Sequence, residues 1–444
     1  MAPAHAESAA AIEKAPPDNA PPGKTPPGKD AAQAAVATAA RLDDDGERAT
    51  LVLTHDGALA PSAFVLADPP RVIVDAPGLR FAIEPDVGRA PARPSRGGPR
   101  HAKAPPGLVR PGGLVASFRF GQLDRSRARI VIDLSGPAKL LRVASEKGED
   151  GESRLTIELA RAEKARFLAA AESARLALMN AASRRGTDEA APVPAGSGKP
   201  VVMIDPGHGG IDRGASVNGL VEKDLVLAFA TALAEKIAAE GRFEPVLTRS
   251  DDSFIALGER VRMARERGAA LFVSIHADSV AEAAQVSGAT IYTVSERASD
   301  AAAARLAEQE NQADALAGVA SAPEAGDVSD ILFELARRET RAYSHVFART
   351  LMNYWKLAGG LNKNPLRSAG FRVLMAPDVP SILLELGYLS NPGDDAALSS
   401  PQWRDAAIAR VSEAVSTFFA EREGADVAHA GAAPAAQEAG GTRP

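Results

Sequence analysis

The chain has 444 residues, enough for two or three domains each with its own core, and its 45 % hydrophobic and 24 % charged content is ordinary for a folded protein in water. A net charge of −6 excludes the basic field of a nucleic-acid binder, and the absence of Cys excludes disulfides and thiolate metal sites. No apolar run reaches the ~18–20 residues that span a bilayer, so no transmembrane segment is expected.

Residues 1–46 are rich in Ala and Pro, with PPDNAPPGKTPPGKD at their centre. Such a composition buries too little apolar surface to offset ordering entropy, which predicts a disordered tether. Within it, Ala4-His5-Ala6 before Glu7 matches the small-x-small pattern of a secretory cleavage site, consistent with a trimmed or incomplete export signal.

Residues 47–160 turn to short runs of period two: RATLVLTHD, PRVIVDAPG, VASFRFGQ, ARIVIDLSG and SRLTIELA. Turn signals separate them and no helix intervenes, which predicts a small all-β sandwich. Inside it, Gly88–Gly112 carries Arg89, Arg93, Arg96, Arg100, Lys103 and Arg110. That loop reads as a solvated insertion, with contact to an envelope polyanion as the alternative.

Ala160–Arg185 predicts one helix, followed by the flexible linker GTDEAAPVPAGSGKP, so that 161–199 joins two domains. From Val201 to about residue 422 the pattern alternates. VVMID, FEPVLT, ALFVSI, GATIYTV, FRVLM and SILLE read as strands, and helices are expected to begin near Glu222, Leu257, Ser299, Val328 and Pro401. This is the signature of an α/β domain with a mostly parallel sheet flanked by helices. Residues 423–444 read as a second disordered tail.

Sites in open α/β sheets gather at the carboxyl ends of strands. His208 follows VVMIDPG, His276 follows ALFVSI and Glu385 closes SILLE; Glu222 opens a helix on the stripe of Leu225, Val226, Phe229 and Leu233. A carboxylate on that inward stripe is costly unless paired or coordinated. Two imidazoles and a carboxylate with an open position form a catalytic zinc set, and the glycines beside His208 let backbone approach a metal. Taken singly, each residue has a bland reading: a satisfied histidine, a first-turn acid favoured by the helix dipole, an ion-pair partner. All four on one rim are less readily dismissed. His5, His55, His101, His345 and His429 have no comparable setting.

VVMIDPGHGGIDRGA, GLVEKDLVL, TRSDDSFIALGERVRMAR, LFVSIHAD and FRVLMAPDVPSILLELGYLSN, in that order, resemble the zinc-dependent N-acetylmuramoyl-L-alanine amidases of the cell-division group. DPPRVIVDAPGL and RARIVIDLSGP resemble the N-terminal targeting (AMIN-type) module of the same enzymes, with the basic loop as an insertion. The resemblance implies that His208, Glu222 and His276 bind Zn²⁺ and that Glu385 is the catalytic carboxylate. It further implies hydrolysis of the amide between N-acetylmuramic acid and L-alanine of peptidoglycan in the periplasm, and a LytM-type activator protein; that compartment adds weight to the Ala4–Ala6 motif as an export-signal remnant cleaved after Ala6. A silent envelope scaffold and a zinc peptidase are the competing readings; the intact four-residue set opposes the first, and the lack of HExxH opposes the second.

Residues 298–327, between GATIYTV and the helix near Val328, exceed what a minimal hydrolase needs. Ser299 is expected to cap a helix reaching about Gly318, on which Glu310 shares a stripe with Leu306, Ala313 and Ala317 while Glu308 points elsewhere. The family resemblance implies a regulatory helix that occludes the site, and Glu310 is the expected plugging ligand.

Overall fold

The computed structural model describes residues 34–89, 108–148, 151–188, 198–280, 284–319 and 331–431. The Ala4–Ala6 motif, most of the basic loop, most of the linker and the end of the C-terminal tail lie outside them.

The N-terminal region is all-β up to one closing helix. Its strands are β1 (Ala35–Asp44), β2 (Arg48–His55), β3 (Ser62–Leu66), β4 (Arg71–Pro77), β5 (Leu79–Phe81), β6 (Val115–Gln122), β7 (Arg127–Leu134), β8 (Ala138–Lys147) and β9 (Ser153–Arg161), followed by helix α1 (Lys164–Asp188). One sheet has the order β5-β1-β2-β9-β8 and the other β3-β4-β7-β6. Alternation does the work in the first sheet. Leu51, Leu53, Leu155, Ile157 and Leu159 point inward and meet Val72, Val74, Ile130 and Ile132 of the second. Each such buried aliphatic side chain contributes about 1.5–3 kcal/mol.

β1 corrects the expected tether at 1–46. Its small alanines carry no strand signal, yet Ala35 and Ala37 are buried because the segment pairs antiparallel with β2. Long-range pairing here overrides weak local propensity.

Strands β10 (Val201–Pro206), β11 (Ser216–Val217), β12 (Leu220–Val221), β13 (Glu244–Leu247), β14 (Ala269–His276), β15 (Ala289–Val294), β16 (Leu361–Ala369) and β17 (Ser381–Glu385) alternate with helices α2 (Glu222–Glu240), α3 (Leu257–Glu266), α4 (Ala301–Glu310), α5 (Ala313–Leu316), α6 (Ile331–Trp355), α7 (Pro392–Leu398) and α8 (Pro401–Gly431). The main sheet has the order β13-β10-β14-β17-β15-β16 and is mixed: β15 runs antiparallel to β17, and the other neighbours pair in parallel. Helices α2, α6 and α8 cover one face through Phe229, Leu233, Phe347, Leu351, Val411 and Phe418. The other face packs Met203, Phe272, Tyr292 and Leu383 against Leu306, Ala307 and Phe371.

Two local expectations need correction. FRVLM is not a strand; Arg372–Leu374 forms a 3-10 turn with Phe371 and Leu374 fully buried. Short apolar runs look alike in either state. The edge strand is instead LNKNPLRSA, a polar stretch whose Pro365 is tolerated because β16 has one neighbour only. The expected tail from residue 423 begins as helix, since α8 continues to Gly431.

The inserted segment is also built differently from its expectation. Asp300, not Ser299, caps α4 by accepting from the backbone N–H groups of Ala302 and Ala303. The helix breaks at Asn311, and α5 follows. Because β15 is antiparallel to β17, with Thr290 opposite Glu385, the segment leaves the sheet at the end away from His276 and Glu385. Its start is tied to the edge strand, where Ser299 N–H donates to the Ser368 carbonyl and Arg367 pairs with Asp300.

Candidate metal centre

β10 delivers the chain to Gly207 and His208. His208 adopts φ 58°, a left-handed conformation unusual outside glycine and tolerated by His better than by branched residues. Two buried arginines hold that conformation. Arg260 donates to the His208 carbonyl at 2.6 Å, and Arg249 donates to the Gly207 carbonyl at 2.7 Å. Arg260 is held in turn by Asp205 at 2.6 Å, and Thr248 and Ser274 hydroxyls donate to the same carboxylate. Burial alone would raise the Asp205 carboxyl; the Arg260 charge and these donors bring it below the usual carboxylate range.

A side chain at Gly207 has no room, since a Cβ there would lie 2.4 Å from Cε1 of His276. At Gly214, where φ is +63°, it would meet Glu222 Oε2 at 2.5 Å and the His208 ring at 2.6 Å. The glycines therefore allow the ligand side chains to converge.

His208, Glu222 and His276 are all buried, and one ligand atom from each lies within 4.8 Å of the others. Glu222 Oε1 is 3.0 Å from His208 Nε2 and 3.2 Å from His276 Nδ1. Neither contact is aligned as a hydrogen bond, so both buried imidazole nitrogens lack a partner. Orphaned buried nitrogens aimed at one carboxylate oxygen are a misfit for a hydrogen-bonded core and a fit for a shared cation. The other His208 nitrogen donates to Asp212 at 2.9 Å, which fixes the ring and leaves Nε2 as the lone-pair side. Glu222 is oriented by the backbone N–H groups of Ala215 and Ala277, at 2.8 Å and 2.9 Å.

The electrostatics match a site built for positive charge. Burial would depress His208, but Asp212, Glu222 and Glu310 outweigh it and raise the imidazole well above its ordinary range. Burial would likewise raise Glu222, yet His208 pulls it well below. Glu385 stands on β17 directly opposite His276 of β14. It accepts from Asp278 N–H at 3.1 Å through Oε2, while Oε1 has no partner. Burial first, then Asp278, Glu222 and Glu310, push its carboxyl well above the usual range.

Glu310, the last residue of α4, enters the same site. Its Oε2 lies 3.3 Å from His276 Nδ1 and 3.7 Å from His208 Nε2. It is 6 % exposed, and burial chiefly pushes its carboxyl up to about 7. Glu308 faces solvent. Between Glu310, the histidines and Phe371 only about 10 Å³ of cavity remains, barely room for one water.

Every residue singled out in the sequence for this rim is brought together. His55 instead meets Ser145 in the sandwich, and His345 stands on α6 with Thr293 at 3.5 Å. Sequence reasoning missed Asp212, Asp278, Arg249, Arg260 and Gln309, whose amide donates to Asp278 at 3.0 Å. A fully buried acid closing the apolar strand VVMID was the available signal that a buried cation, Arg260, must answer it.

Residues 202–417 match the family model described as N-acetylmuramoyl-L-alanine amidase. The chain is 32 % identical over 332 residues to the N-acetylmuramoyl-L-alanine amidase AmiC of Escherichia coli O6:H1, an overlap of 72 % of this chain and 77 % of that one. It is 37 % identical over 224 residues to AmiA of Escherichia coli K12, covering 50 % and 77 % of the two chains. With AmiC of Neisseria meningitidis serogroup B the identity is 33 % over 323 residues, 69 % of this chain and 75 % of that one.

Proposed function

This chain belongs to the N-acetylmuramoyl-L-alanine amidase family, and from that premise we propose that it hydrolyses the amide between N-acetylmuramic acid and the L-alanine of the stem peptide, using zinc, in splitting the cell wall at division. The observation that carries the zinc assignment is the pair of partnerless buried nitrogens on His208 and His276, aimed at Glu222. These three residues hold the ion. When bound, it supplies Lewis acidity and a nucleophile available at neutral pH.

The chain's own residues do the rest. Asp212 keeps His208 in one tautomer and one orientation. Glu385, with one oxygen anchored and the other unengaged, takes a proton from the attacking water and passes it to the departing amine. A carboxyl raised by burial has the proton affinity that such a shuttle needs.

Glu310 occupies the position that substrate would need, so the state described is a closed one. Its seat against both histidines and the filled cavity support this reading. An activator of the LytM type would withdraw α4. The β-sandwich would serve as the targeting module, and the compartment would be the periplasm, because peptidoglycan lies outside the inner membrane. Among the described residues no helix is long and apolar enough to cross a membrane.

The test is digestion of purified sacculi by zinc-loaded full chain and by its Glu310→Ala variant, read by mass spectrometry. The reading expects free L-alanine amino termini on intact stem peptides. Cleavage within the stem peptide would establish a peptidase instead. Silence from both proteins, each folded and metallated, would favour the scaffold.

A further inference from the structure

β4 and β7 break the rule of a half-exposed sandwich. Val72, Val74, Ile130 and Ile132 face the sandwich core, yet Ile73 and Val131, on the opposite face, are also fully buried. Their cover is the end of the inserted segment together with the rim of the α/β domain: Ala317, Ile211 and Phe254 join them and Leu66 of β3 in one cluster. The fit is close. A Cβ on Gly318, where φ is +67°, would sit 2.3 Å from Cδ1 of Ile73 and 3.3 Å from Cγ2 of Val131.

The same face carries three arginines, one from each of β4, β6 and β7, and all three donate to successive carbonyls of the segment. Arg71 donates to Ala315, Arg119 to Leu316 at 2.7 Å, and Arg129 to Ala317 and Gly318 at 3.1 Å and 3.2 Å. These carbonyls lie at the end of α5; that of Ala315 also accepts from Gly318 N–H at 3.1 Å, and a cation is favourable at a helix C-terminus. Arg129 is braced by Asp75 and Arg119 by Asp133, both at 2.6 Å. Arg71 and Arg129 are buried, so the carbonyls satisfy guanidinium donors that water does not reach.

We propose that this outer face of the sandwich is a second lock on the active site: it clamps residues 315–318 and so keeps Glu310, five residues upstream, seated between the histidines. The inference rests on the reading of Glu310 as the occluding group. The stretch between the two points is anchored at Asn311 and Asp314. Asn311 bonds the Gly370 carbonyl and the Arg372 N–H at 2.8 Å each, and Asp314 accepts from Leu257 N–H at 2.9 Å. The sandwich is itself seated on the His208 loop, where Ile211 N–H donates to the Gln122 carbonyl at 3.0 Å. Withdrawal of α4 therefore requires the sandwich to release the segment, and whatever holds the sandwich elsewhere weakens the closed state. The N-terminal domain thus acts on access to the site as well as on location.

Hydrogen–deuterium exchange of the full chain tests this, comparing wild type, Arg71→Ala/Arg119→Ala, Gly318→Val and Glu310→Ala, with L-alanine release from sacculi measured in parallel. Gly318→Val breaks the contact from the segment's side and leaves the arginines in place; retained protection of 71–76 and 128–134 checks that the sandwich stays folded in both clamp variants. The expected result is exchange about tenfold faster over 301–310 in both clamp variants, with a matching rise in basal hydrolysis. If 313–319 loosens while 301–310 keeps wild-type protection, the second lock is wrong, and increased hydrolysis by Glu310→Ala would leave the occlusion itself standing. If the clamp variants free 301–310 but Glu310→Ala does not raise hydrolysis, the clamp stands as a docking contact and the occlusion reading fails.

Discussion

Glu310 Oε2 stands 3.3 Å from His276 Nδ1, although the two residues belong to an inserted helix and a central strand that share no backbone pairing. The carboxylate duplicates the approach of Glu222 to the same nitrogen from another side. On the proposed function, this carboxylate is a fourth ligand supplied by the chain itself, and it takes the position that substrate would need.

Removing that carboxylate should raise basal activity. If the closed form holds about 99 % of molecules, Glu310→Ala gains up to about a hundredfold in L-alanine release. Zinc stoichiometry should stay unchanged, because His208, Glu222 and His276 remain; equal basal rates in both proteins would remove the case for occlusion.

Glu385→Gln separates binding from catalysis. The amide keeps the shape and the contact to Asp278 N–H but cannot carry a proton, so the rate should fall about 10²–10⁴-fold with metal content intact. The comparison belongs on the Glu310→Ala background, where the rate is measurable. Zinc loss in Glu385→Gln would reassign Glu385 as a ligand.

Asp212→Asn and Gly207→Ala should weaken zinc binding without removing a ligand. The first loosens the tautomer of His208, and the second drives a methyl group into the His276 ring. Losses of about 10–100-fold in affinity are expected, read by competition with a chromophoric chelator.

Acid should unfold the α/β domain partly through Asp205. Its carboxyl titrates below its unfolded value because Arg260 and two hydroxyls favour the charged form. Its contribution is therefore complete above the unfolded value near 3.9 and is lost as pH falls through the lower folded value. Asp205→Asn should cost about 3–5 kcal/mol by leaving Arg260 buried without its partner, and should flatten the acid limb of a stability–pH curve.

Much of the site was legible because its residues end strands with strong apolar patterns. VVMID, ALFVSI and SILLE are continuous hydrophobic runs, and a polar residue closing such a run has few bland roles. Glu222 was legible from the helical stripe, and Glu310 from the same periodicity. What failed was tied to partners distant in sequence. β1 is a strand only because β2 pairs with it, and β16 is a polar edge that no pattern announces. Nothing in TRSDDSFIALGER marks Arg249 and Arg260 as buried, yet they hold the backbone carbonyls of Gly207 and His208. RVIVDA and RIVIDL read as period-two strands with one buried face, yet Ile73 and Val131 on the outer face are buried too, and only the fold shows what covers them.

Helix α4 is fastened at both ends, by the ties of Ser299 and Asp300 to the edge strand and by Glu310 in the site. Between those points the chain is a measuring rod. One added residue advances Glu310 by about 1.5 Å and swings it by about 100°, away from both imidazoles, whereas exposed positions such as Ala304 and Glu308 can change freely in kind. On the proposed occlusion, lineages bearing this helix should thus vary it by substitution and keep its spacing, because a single-residue insertion or deletion would unseat Glu310 and leave the site open at all times.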